Sequence, residues 1–313
     1  FCVVEIGMNH AGEIAPLARL ARPHVALITT VEKAHVGHLG SIEAIADEKA
    51  SIMQGLEPSG IAVLPIDSPQ YPRLRDAAGD ARIIAFGTGP AADVRLAEIE
   101  SDASGSDMLI DAAGQEIRMR LNAPGLHMAM NATAALAAIV ALRLDPAVAA
   151  GALGAFVPVA GRGARRAIAV RAGTALLLDE SYNGNGASMR AALDVLRLQP
   201  ASRRIAVLGD MLELGAEGPA EHAALAPDVA RSADGLFACG PLMRHLFDAV
   251  PAALRRAHAT DSAALAPLVA AYAAPGDAIL VKGSLGSRMK RVVDSLDELA
   301  VPPAGDAGPA GAA

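Results

Sequence analysis

Short apolar runs alternate with amphipathic helical patterns in the first part of the chain. The runs FCVV (1–4), VALITT (25–30) and IAVLP (61–65) have the length of strands, and residues 41–56 show the period of a helix. This alternation is typical of a parallel sheet with crossover helices. It predicts an α/β domain.

The pattern changes between about residues 84 and 121. DVRLAEIE (93–100), DMLID (107–111) and EIRMRL (116–121) alternate apolar with polar residues, and AAGQ (112–115) supplies a turn. These features predict antiparallel strands appended to the parallel sheet. A long alanine-rich helix is predicted next, at residues 127–144.

A segment rich in Pro, Gly and Arg, FVPVAGRGARR (156–166), interrupts the pattern and predicts a domain boundary near residue 158. Strand-like runs then resume, each followed by a helical pattern: TALLLDE (174–180), RIAVLGD (204–210), GLFACG (235–240) and AILVKG (278–283). We therefore predict a central α/β domain, a Rossmann-like C-terminal α/β domain and a disordered tail, at residues 1–158, 159–301 and 302–313.

Composition narrows the function classes. With 313 residues, 52% of them hydrophobic, the chain can bury a large core. A net charge of −7 without a basic run excludes the usual features of nucleic-acid and anionic-membrane binding, and leaves small polar or anionic substrates open. We expect Cys2 and Cys239, both in apolar runs, to be reduced core residues of a cytoplasmic protein without a membrane span.

Lys49 occupies an unusual position in the helical pattern SIEAIADEKASIM (41–53), in line with Ile42 and Ile45. Its side chain could snorkel to the helix edge, or burial could lower its pKa and leave a neutral amine. A neutral amine can also capture carbon dioxide, and the carbamate is an oxygen ligand of the kind that magnesium prefers. Glu5 and His35 could complete such a site, or could be a solvated strand-end acid and a structural loop histidine.

Two strand ends carry more polar groups than a connection needs, and ligands of open α/β sheets bind at the carboxyl ends of strands. After TALLL come Asp179, Glu180, Tyr182, Asn183 and Asn185, which predict a ligand site unless they serve only as turn and cap residues.

The second such place is VKGSLGSRMKRVV (281–293), which predicts a strand, a Gly/Ser turn and a helix. The apolar face of that helix runs through Met289, Val292, Val293 and Leu296. The turn amides, with Lys282 and Arg288, would suit an anion, although such turns also occur as plain connections.

Seven segments together resemble the Mur ligases, ATP-dependent amide-forming enzymes of peptidoglycan synthesis, over nearly all of residues 1–301. They are VVEIGMNHAGEI (3–14), RPHVALITTVEKAHVGHLGSIEAIADEKASI (22–52), APGLHMAMNATAALAA (123–138), GRGARR (161–166), LLLDESYNGNGASMRAALDVL (176–196), IAVLGDMLELG (205–215) and GDAILVKGSLGSRMKRVV (276–293).

The resemblance implies roles for individual residues. Lys49 matches the family's carbamylated lysine, and Glu5 and His35 match its magnesium ligands. Residues implied at the ATP site are His127, Asn131, Arg162, Asp179, Tyr182, Asn183 and Asn185, with Arg162 reaching the phosphates. Lys282, Ser284 and Arg288 are implied to face the growing peptide or the incoming dipeptide.

The implied reaction is ATP-dependent joining of D-alanyl-D-alanine to UDP-N-acetylmuramoyl-tripeptide through an acyl phosphate, with Mg²⁺, by a monomer. Three alternatives stay open: a family member that adds a single amino acid, a folate or cyanophycin relative, and a non-catalytic module that binds a nucleotide or peptide.

The sequence departs from the family in one large respect. It contains no G-x-x-x-x-G-K-[ST] phosphate loop, which the family carries just before its E-I-G strand, and no UDP-sugar-binding domain. We expect both to precede Phe1 in a longer protein, and this chain alone to be inactive. HMAMN and NGNG also differ from the usual family segments.

Overall fold

The computed structural model describes residues 1–33 and 36–299. The chain forms two compact units. The first comprises residues 1–157 with the short segments 185–187 and 212–218, and the second comprises 158–184, 188–211 and the chain from 219 onward. The division between Val157 and Pro158 falls inside the segment rich in Pro, Gly and Arg.

The first unit is built on a mixed six-stranded sheet whose strands follow one another in chain order. The strands are β1 (Val25–Leu27), β2 (Ile61–Pro65), β3 (Arg82–Gly87), β4 (Val94–Ser101), β5 (Ser106–Ala112) and β6 (Gln115–Leu121). The first four are parallel, and β4, β5 and β6 are antiparallel. Both parts of the predicted sheet are confirmed.

Among the described residues of this unit, the α-helices are α1 (Ile14–Ala21), α2 (Val36–Leu39), α3 (Ile42–Ala50), α4 (Tyr71–Ala78), α5 (Leu126–Ala141) and α6 (Pro146–Gly154). Their starts follow from local chemistry. Ser41 accepts a hydrogen bond from Ala44 N at the start of α3, and Asp145 accepts one from Ala147 N just before Pro146 opens α6. A 3₁₀ helix, Ser51–Gly55, continues α3.

The core of this unit has two parts. The larger part packs α5 against the sheet, where Leu136 and Ala137 join Ile110 and Phe86. The smaller part packs α3 and α4, through Ile45 and Leu74, against Leu64 and its neighbours. The alanines of α5 bury little side-chain volume, so that the helix backbone can lie close to the strands.

The predicted strand FCVV is wrong. Residues 1–8 have no regular secondary structure, Phe1 and Val3 are almost fully exposed, and Cys2 is exposed although we expected it in the core. An apolar run becomes a strand only where a neighbouring strand pairs its backbone groups, and residues 1–8 have no such pairing. VALITT is also shortened, because only Val25–Leu27 pairs with β2.

The second unit contains another six-stranded sheet, in the order β11-β10-β9-β12-β8-β7. Its strands are β7 (Ala164–Val170), β8 (Gly173–Glu180), β9 (Arg203–Gly209), β10 (Gly235–Cys239), β11 (Arg255–Ala259) and β12 (Asp277–Lys282). All neighbours are parallel except β7 and β8, which form a hairpin. Sequence analysis found four of these strands and missed β7 and β11.

The helices in this half of the chain are α7 (Gly186–Arg197), α8 (Gly218–Ala223), α9 (Ala226–Ser232), α10 (Met243–Ala249), α11 (Ser262–Tyr272) and α12 (Lys290–Glu298). The predicted apolar face is confirmed, since Met289, Val292, Val293 and Leu296 are all buried. Within residues 1–33 and 36–299, no helix has the length and apolar character needed to cross a bilayer. The predicted tail, 302–313, lies outside the described residues.

A close backbone approach joins α1 to the 3₁₀ helix in the first unit. A Cβ atom on Gly55 would lie 2.1 Å from both the carbonyl carbon and the oxygen of Ala18. Glycine is therefore required at position 55 because any side chain would push α1 away from the 3₁₀ helix.

We expect Gly55→Ala to lower the free energy of unfolding of the first unit by about 1–3 kcal/mol, because the added methyl group overlaps backbone atoms that cannot rotate away. Gly151→Ala is the matched control: Gly151 lies inside α6 with open space at its Cβ position, so the change should stabilise by roughly 0.5–1 kcal/mol. Denaturant unfolding measures both. Equal stabilities for the two variants would contradict the close approach.

Candidate functional site

Two adjacent strands of the second unit end in charged residues. β8 and β12 are parallel and in register, with Val281 opposite Asp179 and Lys282 opposite Glu180. Because parallel strands end at the same edge of a sheet, residues about a hundred positions apart in sequence meet there. This edge carries the candidate site.

The buried Lys282 and the partly buried Glu180 form an ion pair at this edge. Lys282 Nζ lies 3.5 Å from Glu180 Oε2 and donates a hydrogen bond to Asn183 O at 2.9 Å. Burial raises the pKa of Glu180, and the Lys282 ammonium opposes that rise. Burial likewise lowers the pKa of Lys282 against the opposing effect of Glu180. Each group thus offsets part of the desolvation cost of the other.

Asp179 is a buried carboxylate whose orientation is fixed by its neighbours. Ser181 donates to Asp179 Oδ1 through its hydroxyl at 2.6 Å and its amide at 3.2 Å. The other carboxylate oxygen lies 3.9 Å from the Arg166 guanidinium, which also makes two hydrogen bonds to Asp297. The side chain is therefore a preoriented hydrogen-bond acceptor beside a positive group.

Arg162 lies over the ring of Tyr182, with its guanidinium carbon 4.3 Å from the ring centroid. Backbone hydrogen bonds fix both segments: Tyr182 N donates to Gly161 O at 3.1 Å and Gly163 N donates to Asp179 O at 3.0 Å. The two glycines have φ of +76° and +97°, which other residues rarely adopt. An exposed cation on a half-exposed ring can bind a ligand that is both anionic and planar.

The residues predicted to face the peptide have different surroundings. Ser284 Oγ donates to Gly184 O at 3.0 Å and is buried, as is Lys282. Arg288 is exposed, with a left-handed backbone conformation after a short 3₁₀ helix, Leu285–Ser287. The structure therefore brings Lys282 and Ser284 onto the loop after β8 and leaves only Arg288 open to solvent.

In the first unit, Lys49 lies on α3 and is half-buried, beside the fully buried Ile45 and Ala46. Burial lowers the pKa of Lys49. The helical period predicts a position on the apolar face, and the partial burial of this side chain agrees with that position. His127 and Asn131 lie four residues apart on α5 and share one face, His127 half-buried and Asn131 exposed.

The described residues contain only part of the predicted magnesium site, which stays a prediction. Glu5 is exposed, because the segment before it does not join the sheet and so does not carry its carboxylate to a strand end. His35 lies outside the described residues. No group of three His, Cys, Asp or Glu side chains suited to a metal ion occurs in the part of the chain that the structure describes.

Sequence analysis missed the role of Glu48, the residue before Lys49. This acid is buried, and its carboxylate accepts hydrogen bonds from Gly12 N at 2.8 Å and Ile14 N at 2.9 Å, which fixes the chain where it enters α1. The helical pattern gives no signal for it, because an acid beside a lysine in a helix is usually solvated.

Asp210, at the end of β9, joins three loops of the second unit. Its side chain accepts hydrogen bonds from Leu242 N and Met243 N at 3.3 and 2.7 Å, and its backbone carbonyl accepts from Ser284 N and Ser287 Oγ at 3.0 and 2.7 Å. Asp210 can be identified as a candidate from the sequence because it directly follows an apolar strand.

The lowered pKa of Lys49 predicts the sign of a stability change. The charged amine is disfavoured in the folded state, and this penalty fades as pH rises through the folded pKa towards the ordinary value of 10.5. Lys49→Met should therefore raise the free energy of unfolding most at neutral pH and less as pH approaches 10.5.

Lys290→Met should change the free energy of unfolding in the opposite direction and lower it at neutral pH. Asp294 raises the pKa of Lys290, so the charged lysine stabilises the folded state until pH rises through that pKa. Calorimetric unfolding from neutral to alkaline pH measures both variants. An increase in the free energy of unfolding of Lys49→Met that does not change with pH would reflect only the apolar character of methionine.

Comparison with known proteins identifies the family of the chain. The Mur ligase middle domain matches residues 1–139, and the Mur ligase glutamate ligase domain matches residues 165–285. The chain is 33% identical over 305 residues to UDP-N-acetylmuramoyl-tripeptide–D-alanyl-D-alanine ligase of Escherichia coli (strain K12), covering 95% of this chain and 65% of that protein.

Solved structures show the same fold. MurF from Acinetobacter baumannii has a TM-score of 0.84 at 29% identity, with 95% of this chain and 64% of that chain covered. MurF from Thermotoga maritima, solved in complex with ADP, has a TM-score of 0.78 at 23% identity, with 93% and 66% covered. The chain thus spans a little under two thirds of the length of the first two relatives. The resemblance predicted from the motifs is confirmed, and the chain belongs to the Mur ligase family.

Proposed function

We propose that the protein carrying this chain joins D-alanyl-D-alanine to UDP-N-acetylmuramoyl-tripeptide in a reaction that consumes ATP. The relative from Escherichia coli bears the name of this activity and aligns over 95% of the chain. The observation that carries the proposal is the group of Arg162, Tyr182 and Asp179 at the carboxyl end of β8, which offers a cation, an aromatic face and an acid together.

This group suits a nucleotide. ATP supplies the phosphoryl group that converts the terminal carboxylate of the tripeptide into an acyl phosphate, which the dipeptide amine attacks with release of inorganic phosphate. Arg162 neutralises phosphate charge, and Tyr182 restrains the guanidinium through its ring. Asp179, oriented by Ser181, accepts a hydrogen bond from the nucleotide. The Thermotoga maritima protein of the same fold was solved with ADP.

The proposal extends to further residues of both units. In the first unit we assign nucleotide contacts to His127 and Asn131, which share a face of α5. To the same role we assign Asn185, which belongs to the short segment 185–187 of that unit. In the second unit Asn183 supplies an amide group next to Tyr182, and the exposed Arg288 is available to a peptide carboxylate.

We also propose a carbamate on Lys49. Its half-buried position and lowered pKa favour the neutral amine that reacts with carbon dioxide, and the product would be an oxygen ligand for Mg²⁺. Glu5 is exposed and His35 lies outside the described residues, so this proposal covers the modified lysine alone.

A ligation assay tests the activity. The full natural chain should release phosphate from ATP only when both UDP-N-acetylmuramoyl-tripeptide and D-alanyl-D-alanine are present. Arg162→Ala should lower kcat/KM for ATP by about 100-fold or more, because a phosphate loses its charge-assisted contact. Arg171→Ala, an exposed arginine in the β7–β8 turn, is the control and should leave it unchanged.

Other outcomes separate the alternatives. Phosphate release with a single amino acid in place of the dipeptide would indicate another Mur-type ligase or a folate or cyanophycin relative. Nucleotide binding without phosphate release under any combination of substrates would indicate a non-catalytic binding module.

The carbamate has its own test. Protein equilibrated with ¹³C-labelled carbon dioxide should show a carbamate carbon resonance that disappears in Lys49→Ala and persists in Lys290→Ala. Lys49→Ala should also abolish turnover, with partial rescue by small carboxylic acids that replace the lost oxygen ligand. Full activity of Lys49→Ala, or an unchanged resonance, would contradict the modification.

A further inference from the structure

The turn Lys282-Gly283-Ser284 after β12 is bonded to the loop that follows β8. Lys282 Nζ donates to Asn183 O at 2.9 Å, and Ser284 Oγ donates to Gly184 O at 3.0 Å. Two successive carbonyl groups of one loop are thus bound by two side chains of the other. We call these two hydrogen bonds the clasp.

The backbones of the two loops also touch. A Cβ atom on Gly184 would lie 2.9 Å from the carbonyl carbon of Gly283 and 3.0 Å from Ser284 N. A side chain at position 184 would therefore separate the loops and stretch the clasp, so this approach requires the glycine at that position.

Both donors are buried, which argues against direct contact with a substrate. Lys282 is 3% exposed and Ser284 is 7% exposed. The Lys282 ammonium is paired with Glu180 as well as with the carbonyl of Asn183. The turn after β12 is also hydrogen-bonded to the end of β9, because Ser284 N and Ser287 Oγ both donate to Asp210 O.

We propose that Lys282 and Ser284 are positioning residues, which hold the loop after β8 so that Tyr182 and Asn183 are presented at the nucleotide site, and that neither contacts the peptide substrate. The nucleotide part of this proposal rests on the proposed function. A loop that is fixed before the ligand arrives loses less conformational entropy on binding. The clasp therefore acts on nucleotide affinity through Tyr182, whose ring restrains Arg162.

Hydrogen exchange tests the clasp without any need for activity. Ser284→Ala should speed exchange of the Tyr182 and Gly184 amides by roughly five- to tenfold, since one hydrogen bond on the loop is lost. Ser232→Ala is the matched control, because Ser232 is also a buried serine of the second unit but lies on α9, outside both loops. It should leave those two amides unchanged. Equal effects of the two variants, or none from Ser284→Ala, would overturn the clasp.

Lys282→Met tests the other half of the clasp, but it leaves the partly buried Glu180 without its cation. The double variant Lys282→Met with Glu180→Gln removes that charge as well and keeps a folded protein available. It should again speed exchange at Tyr182 and Gly184. Wild-type exchange in the folded double variant would show that Lys282 does not hold the loop.

Kinetics separate positioning from substrate contact. In Ser284→Ala, KM for ATP should rise several-fold while KM for the tripeptide substrate and for D-alanyl-D-alanine stays unchanged. A rise confined to either peptide substrate would overturn the assignment in favour of direct contact. The wild-type protein could fail both to ligate and to bind ATP while Ser284→Ala still speeds amide exchange at Tyr182 and Gly184. That result would contradict the proposed function and leave the clasp supported.

Discussion

The parallel register of β8, β12 and β9 is the constraint on which the candidate site depends. β12 lies between the other two strands although it follows them in the chain, so three loops from distant parts of the sequence emerge at one edge. A shift of one residue in the β8–β12 pairing would turn Lys282 away from Glu180 and Asn183. The fold therefore fixes the chemistry of this edge before any ligand is present.

Burial of charge at this edge has a thermodynamic cost that the surrounding groups offset. Glu180 and Lys282 are removed from water together, and the carbonyl of Asn183 satisfies another N–H of the ammonium. Asp179 lies beside the Arg166 guanidinium and accepts hydrogen bonds from Ser181. Such groups define one arrangement of the loops, because every alternative leaves a charge buried without a partner.

Sequence patterns predicted the features that depend on residues close together in the chain. The apolar face of α12, the antiparallel strands β4 to β6 and the partial burial of Lys49 all follow from side-chain period. The rule that ligand groups follow strand ends pointed to Asp179, Tyr182 and Lys282. FCVV failed because pairing, not hydrophobicity, makes a strand. The buried functions of Glu48 and Ser284 could not be predicted, because each depends on a backbone group more than thirty residues away.

The two outer strands of the second sheet share a feature that bears on how the protein behaves at high concentration. β7 and β11 are the sheet edges, and each contains two consecutive arginines, Arg165-Arg166 and Arg255-Arg256. An unpaired strand edge is a template for another chain, and charged side chains on both of its faces oppose that pairing. These arginines thus oppose edge-to-edge aggregation, and Arg166 does so while also lying beside Asp179 at the candidate site.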